Sequence, residues 1–378
     1  MLDSAFLQGC EATAAAWDVP ALAVGASVGG ATETAAIGCE VETIFRIASL
    51  TKPFTALLAL ELLDLESQTG IWAADVRVRH LLSHTSGYDG ECGDLARFGS
   101  GDDALPAAVA ELERVRRWVG VEGCWSYANT GYCLAGWLAA NAAASTYEDA
   151  VATRLLDPLG LEATSFGEPE LAPSGPDAKD EGYPRARRPS GGLVSNVADL
   201  LRFGRRLLDA PQLRVVQGKP VGGVYGLGLS GERVGRVEVW GHRGSYGGFE
   251  SSLLTVPDRD AIFVGLTSSS FGSKALWEIE NLFFERVVGA RRRTPETFPL
   301  PADARAAFAG TYANSDSRYE LALDGDGVVV TFDDGEHAAR PIGVQTFEIL
   351  DGEHVRERFD FPLEGFGRFG SRLAERVA

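Results

Sequence analysis

The chain has 378 residues, 45% hydrophobic and 23% charged, enough for one large or two ordinary domains with a substantial core. Its 53 acidic residues outweigh 35 basic ones, giving a formal net charge of −18, which excludes a nucleic-acid binder built on a basic face. The basic residues are 4 Lys (Lys52, Lys179, Lys219, Lys274) and 31 Arg. A Lys-poor acidic surface suits a salty cytoplasm, where counterions screen self-repulsion. An ordinary acidic protein from a GC-rich genome explains it equally well.

Five cysteines (Cys10, Cys39, Cys92, Cys124, Cys133), odd in number and widely spaced, point to reduced, mostly buried thiols. The N-terminus has no basic segment and carries Asp3, Glu11 and Asp18, unlike a signal peptide. No apolar run approaches the ~18 residues of a membrane span. A cytoplasmic protein is expected.

The apolar run 21–28, the pair Gly29-Gly30 and residues 43–47 read as strand, turn and strand. Residues 49–66 are apolar nearly all round until Glu61, the pattern of a helix buried in an interior, with Pro53 near its start. Further helices are expected at 104–118, 131–144, 147–160 and 197–209, the last capped by Ser195 or Asn196. Between them, 167–192 is rich in Gly and Pro and reads as a long irregular loop, of the kind that builds lids and binding walls. Its run Asp177 to Glu181 reads as solvated surface. From 220 the text turns to strands, closed by a helix at 274–289. That order predicts an α+β domain over 1–290, with an antiparallel sheet flanked by helices and a helical subdomain. Residues 291–301 read as a linker, and 302–378, with Asp-Gly turns at 324–325, 326–327, 334–335 and 351–352, as a small antiparallel β module.

Three short motifs carry chemistry. Ser49 stands three residues before Lys52, so on a helix the amine lies beside the hydroxyl, and the helix start supplies free N–H groups for an oxyanion. The apolar helix offers the burial that turns a lysine into a base. Tyr127-Ala128-Asn129 precedes a helix, offering a phenol for proton relay and a carboxamide to hold substrate. A second Tyr-Ala-Asn at 312–314 falls in the β module and reads as structural. His242-Arg243-Gly244-Ser245 follows a strand, where an edge N–H serves an oxyanion and glycine permits close approach.

In this order and spacing the three motifs resemble those of the penicillin-recognising serine hydrolases, in the branch of class C β-lactamases, D-alanyl-D-alanine carboxypeptidases, D-aminopeptidases and related esterases. The stretches TIFRIASLTKPFTALLALELL, VRVRHLLSHTSGY, PSGGLVSNVADLLRFGRRLL, YGLGL and GHRGSYGGFESSLLTVPD add to the likeness, which covers about residues 1–290. The C-terminal module is similar to the lipocalin-like appendage of some members. The resemblance implies a β-lactamase/transpeptidase-like fold and an acyl-enzyme on Ser49. It implies proton transfer shared by Lys52 and Tyr127, with Asn129 on the acyl side. It also implies an oxyanion hole from the N–H groups of Ser49 and Ser245.

Two departures matter. His242 stands where classical members carry Lys, and a histidine titrating near pH 6–7 makes the site less positive at neutral pH. That favours an esterase or peptidase over an efficient β-lactamase. Arg243 stands where a small residue is usual; it is expected to clamp a substrate carboxylate, the alternative being that it faces solvent or pairs with an acid. His80 and His84, with Cys92 downstream, lack further ligands for a metal, and Cys124 has no histidine near it in sequence. No cofactor or metal is expected. The expected substrate is a small ester or amide or a short peptide, with homo-oligomerisation left open. The alternatives are a catalytically idle binding or sensing module and a true β-lactamase.

Overall fold

The computed structural model describes residues 2–91, 93–175, 182–325, 327–352 and 354–378. Helix α1 (Ser4–Ala16), capped by Asp3, leads into the hairpin β1 (Leu22–Val28) and β2 (Ala31–Ile37). Gly29 and Gly30 make its turn, both at positive φ, the geometry that a tight hairpin demands. The partner of β1 is therefore 31–37 rather than 43–47. The sequence ATETAAI hid it because an exposed edge strand needs no apolar alternation. Residues 43–47 instead contribute the two-residue strand β3 (Phe45–Arg46), which pairs β4 (Val194–Ser195).

A 3₁₀ turn at Ala48–Leu50 precedes α2 (Thr51–Leu62), in which every residue from Thr51 to Ala59 is buried. The helical region follows: α3 (Val78–Leu82), α4 (Ala104–Glu111), α5 (Asn129–Ala143), α6 (Tyr147–Val151), α7 (Asp157–Leu159), α8 (Arg188–Gly191) and α9 (Val197–Leu208). The helix expected at 147–160 is present as one continuous helical stretch over 147–159 with a π segment at Ala152–Leu156, and the one at 104–118 ends early in a 3₁₀ turn. Asn196 caps α9 through its side chain, as expected. Within 167–192 the chain is helical at Arg185–Arg187 and in α8; residues 176–181, with the whole acidic run Asp177 to Glu181, lie outside the described residues.

Then come β5 (Val224–Tyr225), β6 (Ser230–Val234), β7 (Val237–Tyr246), β8 (Phe249–Val256), β9 (Ala261–Thr267) and α10 (Gly272–Val287). They complete a seven-stranded antiparallel sheet in the order β2-β1-β9-β8-β7-β6-β5. One face packs on α1 and α10 through Phe6, Phe263 and Phe283, and the other on the helical region through Phe54, Phe203 and Val264. The expected α+β architecture is present. Residues 290–301 carry no regular structure, yet they are docked: Arg292 N–H bonds Asn281, and Phe298 N–H bonds the Pro341 carbonyl.

After α11 (Ala302–Ala306), strands β10 (Gly310–Ala313), β11 (Arg318–Asp324), β12 (Gly327–Phe332), β13 (Gly335–Pro341), β14 (Thr346–Ile349), β15 (Arg358–Leu363), β16 (Phe366–Phe369) and β17 (Arg372–Arg376) close an antiparallel barrel. Its interior is a separate core built on Phe347, Phe359, Phe361 and Phe369. Tyr312 of the second Tyr-Ala-Asn is buried there, as a structural residue. The turn expected at 326–327 lies partly outside the described residues. Cys10 and Cys124 are buried free thiols and Cys39 a partly buried one; Cys133 is buried, and Cys92 lies outside the described residues.

Candidate active site

Ser49 sits in the 3₁₀ turn that starts α2, and the turn is strained: Ala48, a residue with a Cβ, is held at φ +45. Such backbone costs about 1–2 kcal/mol and persists only where its surroundings over-determine it. Lys52 follows one turn later, with no exposed surface. Its Nζ lies 3.0 Å from the Ser49 Oγ and 2.6 Å from the Ser190 carbonyl of α8, 4.7 Å above the Tyr127 ring. Burial first, and then the Arg187 guanidinium, hold this amine well below the usual lysine range. A neutral amine can donate to Ser190 and turn its lone pair to the serine hydroxyl.

The Tyr127 phenol hydrogen-bonds Ser49; burial raises it above the usual tyrosine range, and that bond opposes the rise. The strand-like segment carrying it is held from the barrel. Tyr127 N–H donates to the Ser371 carbonyl at 2.9 Å, Leu373 N–H to Ser126 Oγ at 3.1 Å, and Arg368 Nη1 to the Trp125 carbonyl at 2.9 Å. Asn129, first residue of α5, donates its amide to Glu91. Glu91 also accepts from Arg187 at 2.7 Å and from Arg372 of the barrel at 2.6 Å. Nothing local in the sequence marks Glu91, Arg187 or Arg372 as partners.

His242 lies on β7 beyond Gly241, the last residue that β6 pairs, so residues 242–246 pair only with β8 and leave one edge open. Its Nδ1 is 2.6 Å from the Arg243 carbonyl and so carries the proton; its bare Nε2 lies 3.1 Å from the Tyr225 hydroxyl. His84 takes the Ala128 N–H on Nδ1 and approaches the same hydroxyl with Nε2 at 3.2 Å. The tautomers agree: His84 donates to Tyr225, Tyr225 to His242, and His242 to the backbone. Both rings are neutral and fully bonded. Desolvation, with the Lys52 charge second, pushes His242 down to about 3 and lowers His84 well below its usual value. The expectation that His242 titrates near pH 6–7 is thus corrected: a buried ring beside another amine cannot afford a charge.

Gly244 packs on the Ser49 turn; a Cβ there would lie 2.2 Å from the Ile47 carbonyl and 2.9 Å from Ser49 N. Ser245 lies one residue further along the open edge, its hydroxyl bonded to Glu250. Burial raises the Glu250 carboxyl to about 8.

Arg243 does not offer its fork to a ligand. Nε and Nη2 are bonded to Glu280 at 3.0 and 2.6 Å, and Glu232 lies 3.3 Å away. Glu280 is fully buried, and Arg243 with Arg292 neutralises it. The carboxylate-clamp expectation is corrected on that ground, in favour of pairing with an acid. His80 and His84 do not share a site either, since His80 bonds the Arg77 N–H and Glu122.

A cleft of about 640 Å³ opens in front of Ser49. Its walls include Tyr127, Asn129 and Arg187, the open edge of β7, and Ser371 and Arg372 of the barrel. Among the described residues, no helix is long and apolar enough to cross a membrane.

Residues 11–277 match the Beta-lactamase family. Penicillin-binding protein 4 of Amycolatopsis lactamdurans is 27% identical over 331 residues, covering 73% of this chain and 86% of that protein. The crystal structure of SurE with D-Leu superposes with a TM-score of 0.78 at 23% identity over 99% of each chain, barrel included. D-amino acid amidase from Ochrobactrum anthropi SV3, complexed with L-phenylalanine amide, gives 0.62 at 23% identity, over 75% of this chain and 99% of that one. At these identities the superpositions establish fold alone, and the family match establishes descent: the chain belongs to the Beta-lactamase family of serine hydrolases.

Proposed function

We propose that the protein hydrolyses small esters or amides, including D-amino-acid amides or short peptides, through an acyl-enzyme on Ser49. The observation that carries this reading is the 3.0 Å approach of a fully buried Lys52 amine to the Ser49 hydroxyl at the floor of a cleft. Neutral Lys52 takes the Ser49 proton as Oγ attacks the substrate carbonyl. The negative charge that develops is received by the N–H groups of Ser49 and Ser245, each such donor being worth roughly 3 kcal/mol of barrier. Tyr127, bonded to Ser49, passes the proton to the leaving alcohol or amine. Asn129, fixed by Glu91, faces the acyl group. Water then replaces the leaving group, the same residues moving the proton in reverse.

The neutral His242 supplies no charge to attract the carboxylate of a β-lactam, which supports ester or amide substrates over β-lactams. The amidase among the similar structures supports D-amino-acid amides as the first to try. The test is a panel of p-nitrophenyl esters, D- and L-aminoacyl amides and nitrocefin, run with the native protein and Ser49→Ala. Ester or D-amide turnover lost in Ser49→Ala supports the proposal. Nitrocefin as the preferred substrate overturns it in favour of a β-lactamase, and no turnover of any substrate in favour of a binding module.

A further inference from the structure

We propose that the barrel carries a binding site for one divalent transition-metal ion, of the zinc class, formed by Asp334, His337 and His354. The ligand atoms of these three residues all lie within 4.8 Å of one another, and they form the sole cluster of this kind among the described residues. Two of the five histidines in the chain meet there. They come from the β12–β13 turn with the start of β13, and from the loop that follows β14. The site is independent of the reading of Ser49.

Its geometry is that of a ligand set rather than of scattered surface charge. Nε2 of His337 lies 3.2 Å, and Nε2 of His354 3.5 Å, from the same Oδ1 of Asp334. Bonds of about 2.0–2.1 Å at tetrahedral angles set neighbouring ligand atoms about 3.3 Å apart, so two edges of a tetrahedron are already present. A further carboxylate faces the outer nitrogen of each ring. His354 Nδ1 is 3.2 Å from Glu357, and His337 Nδ1 is 3.5 Å from Asp351. Carboxylates in that position fix the tautomer that turns a bare Nε2 inward and strengthen it as a ligand. Three lone-pair atoms then converge with no donor between them, and a single cation satisfies all three. The alternative is a second proton on each ring, at Nε2, which makes the cluster a set of ion pairs.

The rings are not free to turn away. Phe332 stacks on His354 with centroids 4.3 Å apart, and the two imidazoles meet edge to face at 5.2 Å. Gly352 lies so close to His337 that a Cβ would be 2.5 Å from the ring. His337 keeps 8% of its side-chain surface and His354 28%, which leaves one side open for a fourth ligand such as water. Two imidazoles and one carboxylate suit Zn²⁺, Co²⁺ or Ni²⁺ rather than Ca²⁺ or Mg²⁺, which prefer all-oxygen shells. An ion there ties the loop after β14 to the β12–β13 turn. The same loop runs into Arg358, which lines the Ser49 cleft.

The full chain, stripped with a chelator and dialysed, is titrated with Zn²⁺ by calorimetry and with Co²⁺ by visible absorption. The proposal expects one ion per chain, intense tetrahedral Co²⁺ bands and a thermal midpoint raised by about 2–5 °C with Zn²⁺ in excess. His354→Ala, whose ring is partly exposed, is expected to lose Zn²⁺ affinity at least 100-fold, and Glu357→Gln, which touches no metal, roughly 10–100-fold. Absence of stoichiometric binding to the native protein assigns the cluster to ion pairs and overturns the proposal. So does Zn²⁺ binding left intact in a folded His354→Ala.

Discussion

Gly244 of β7 and Ser49 of the turn that starts α2 are in backbone contact, with 2.9 Å between Ser49 N and the place a Cβ on residue 244 would occupy. Only glycine lets the open strand edge run that close. Gly244→Ala must push β7 away from the turn, and with it the Ser245 amide. The expected result is a fall in kcat of about 10²–10³-fold with far-UV circular dichroism unchanged. Steady-state kinetics on the best substrate of the panel checks it; a kcat within threefold of native removes Ser245 from the oxyanion hole.

Rate against pH follows from two shifted groups. Lys52 is held below its ordinary value, so the fraction of active neutral amine rises with pH and reaches its plateau before the usual lysine range. Glu250, raised to about 8, is neutral below that pH and negative above it, one hydrogen bond from Ser245. A negative charge there opposes a developing oxyanion, so kcat/KM should fall on an alkaline limb centred near 8. Glu250→Gln should abolish that limb while keeping the acidic one. A limb that survives the substitution belongs to another group.

Acid stability turns on the buried histidines. His242 is neutral in the folded protein down to about 3 but takes a proton near 6.5 when unfolded. Between those values the unfolded state binds the extra proton, so stability drops as pH falls, by about 1.4 kcal/mol per pH unit for one full proton. His242→Gln should reduce the pH dependence of the urea midpoint between pH 6 and 4 by close to one proton. An unchanged dependence means that the ring charges within the fold.

Arg243 gives a discriminating result on specificity. Its fork is taken up by Glu280, so Arg243→Ala should change kcat/KM for acidic and neutral substrates by the same factor. It should also lower stability by about 1–3 kcal/mol, because Arg292 still partners the buried carboxylate. A selective loss on acidic substrates returns the clamp.

Glu91 gathers Asn129, Arg187 and Arg372, joining the helical region to the barrel. Glu91→Gln keeps the shape and removes the charge, leaving two guanidiniums near Lys52 without their shared anion. Stability should fall by about 2–4 kcal/mol, and kcat/KM roughly 10-fold or more as Asn129 loosens. Thermal melts and kinetics on the same preparation read both.

The parts of the site legible in the sequence are those where chemistry lies within one element. Ser49 and Lys52 are one helical turn apart, Tyr127 and Asn129 straddle a helix start, and His242 to Ser245 share one strand edge. The residues that hold these groups were not legible, because their partners are remote. Glu91 reaches Arg372 across 281 positions, and Lys52 finds the Ser190 carbonyl across 138. The lowered pKa of His242 is not legible for the same reason: its largest causes are burial and then the remote Lys52, while the adjacent Arg243 contributes less. The 3₁₀ turn that ends α4 and the π segment between α6 and α7 are not legible, since each changes hydrogen bonding without disturbing composition. The Asp334, His337 and His354 cluster in the barrel is not legible because its members meet where β12, β13 and β14 pair.

Central to all of this is that Ser49 is a nucleophile activated by Lys52. Intact-mass spectrometry after exposure to a fluorophosphonate, followed by peptide mapping, tests it most directly. One adduct per chain on Ser49 is predicted, absent in Ser49→Ala and formed at least 100-fold more slowly in Lys52→Met. Labelling at any other residue, or at Ser49 with an unchanged rate in Lys52→Met, contradicts it.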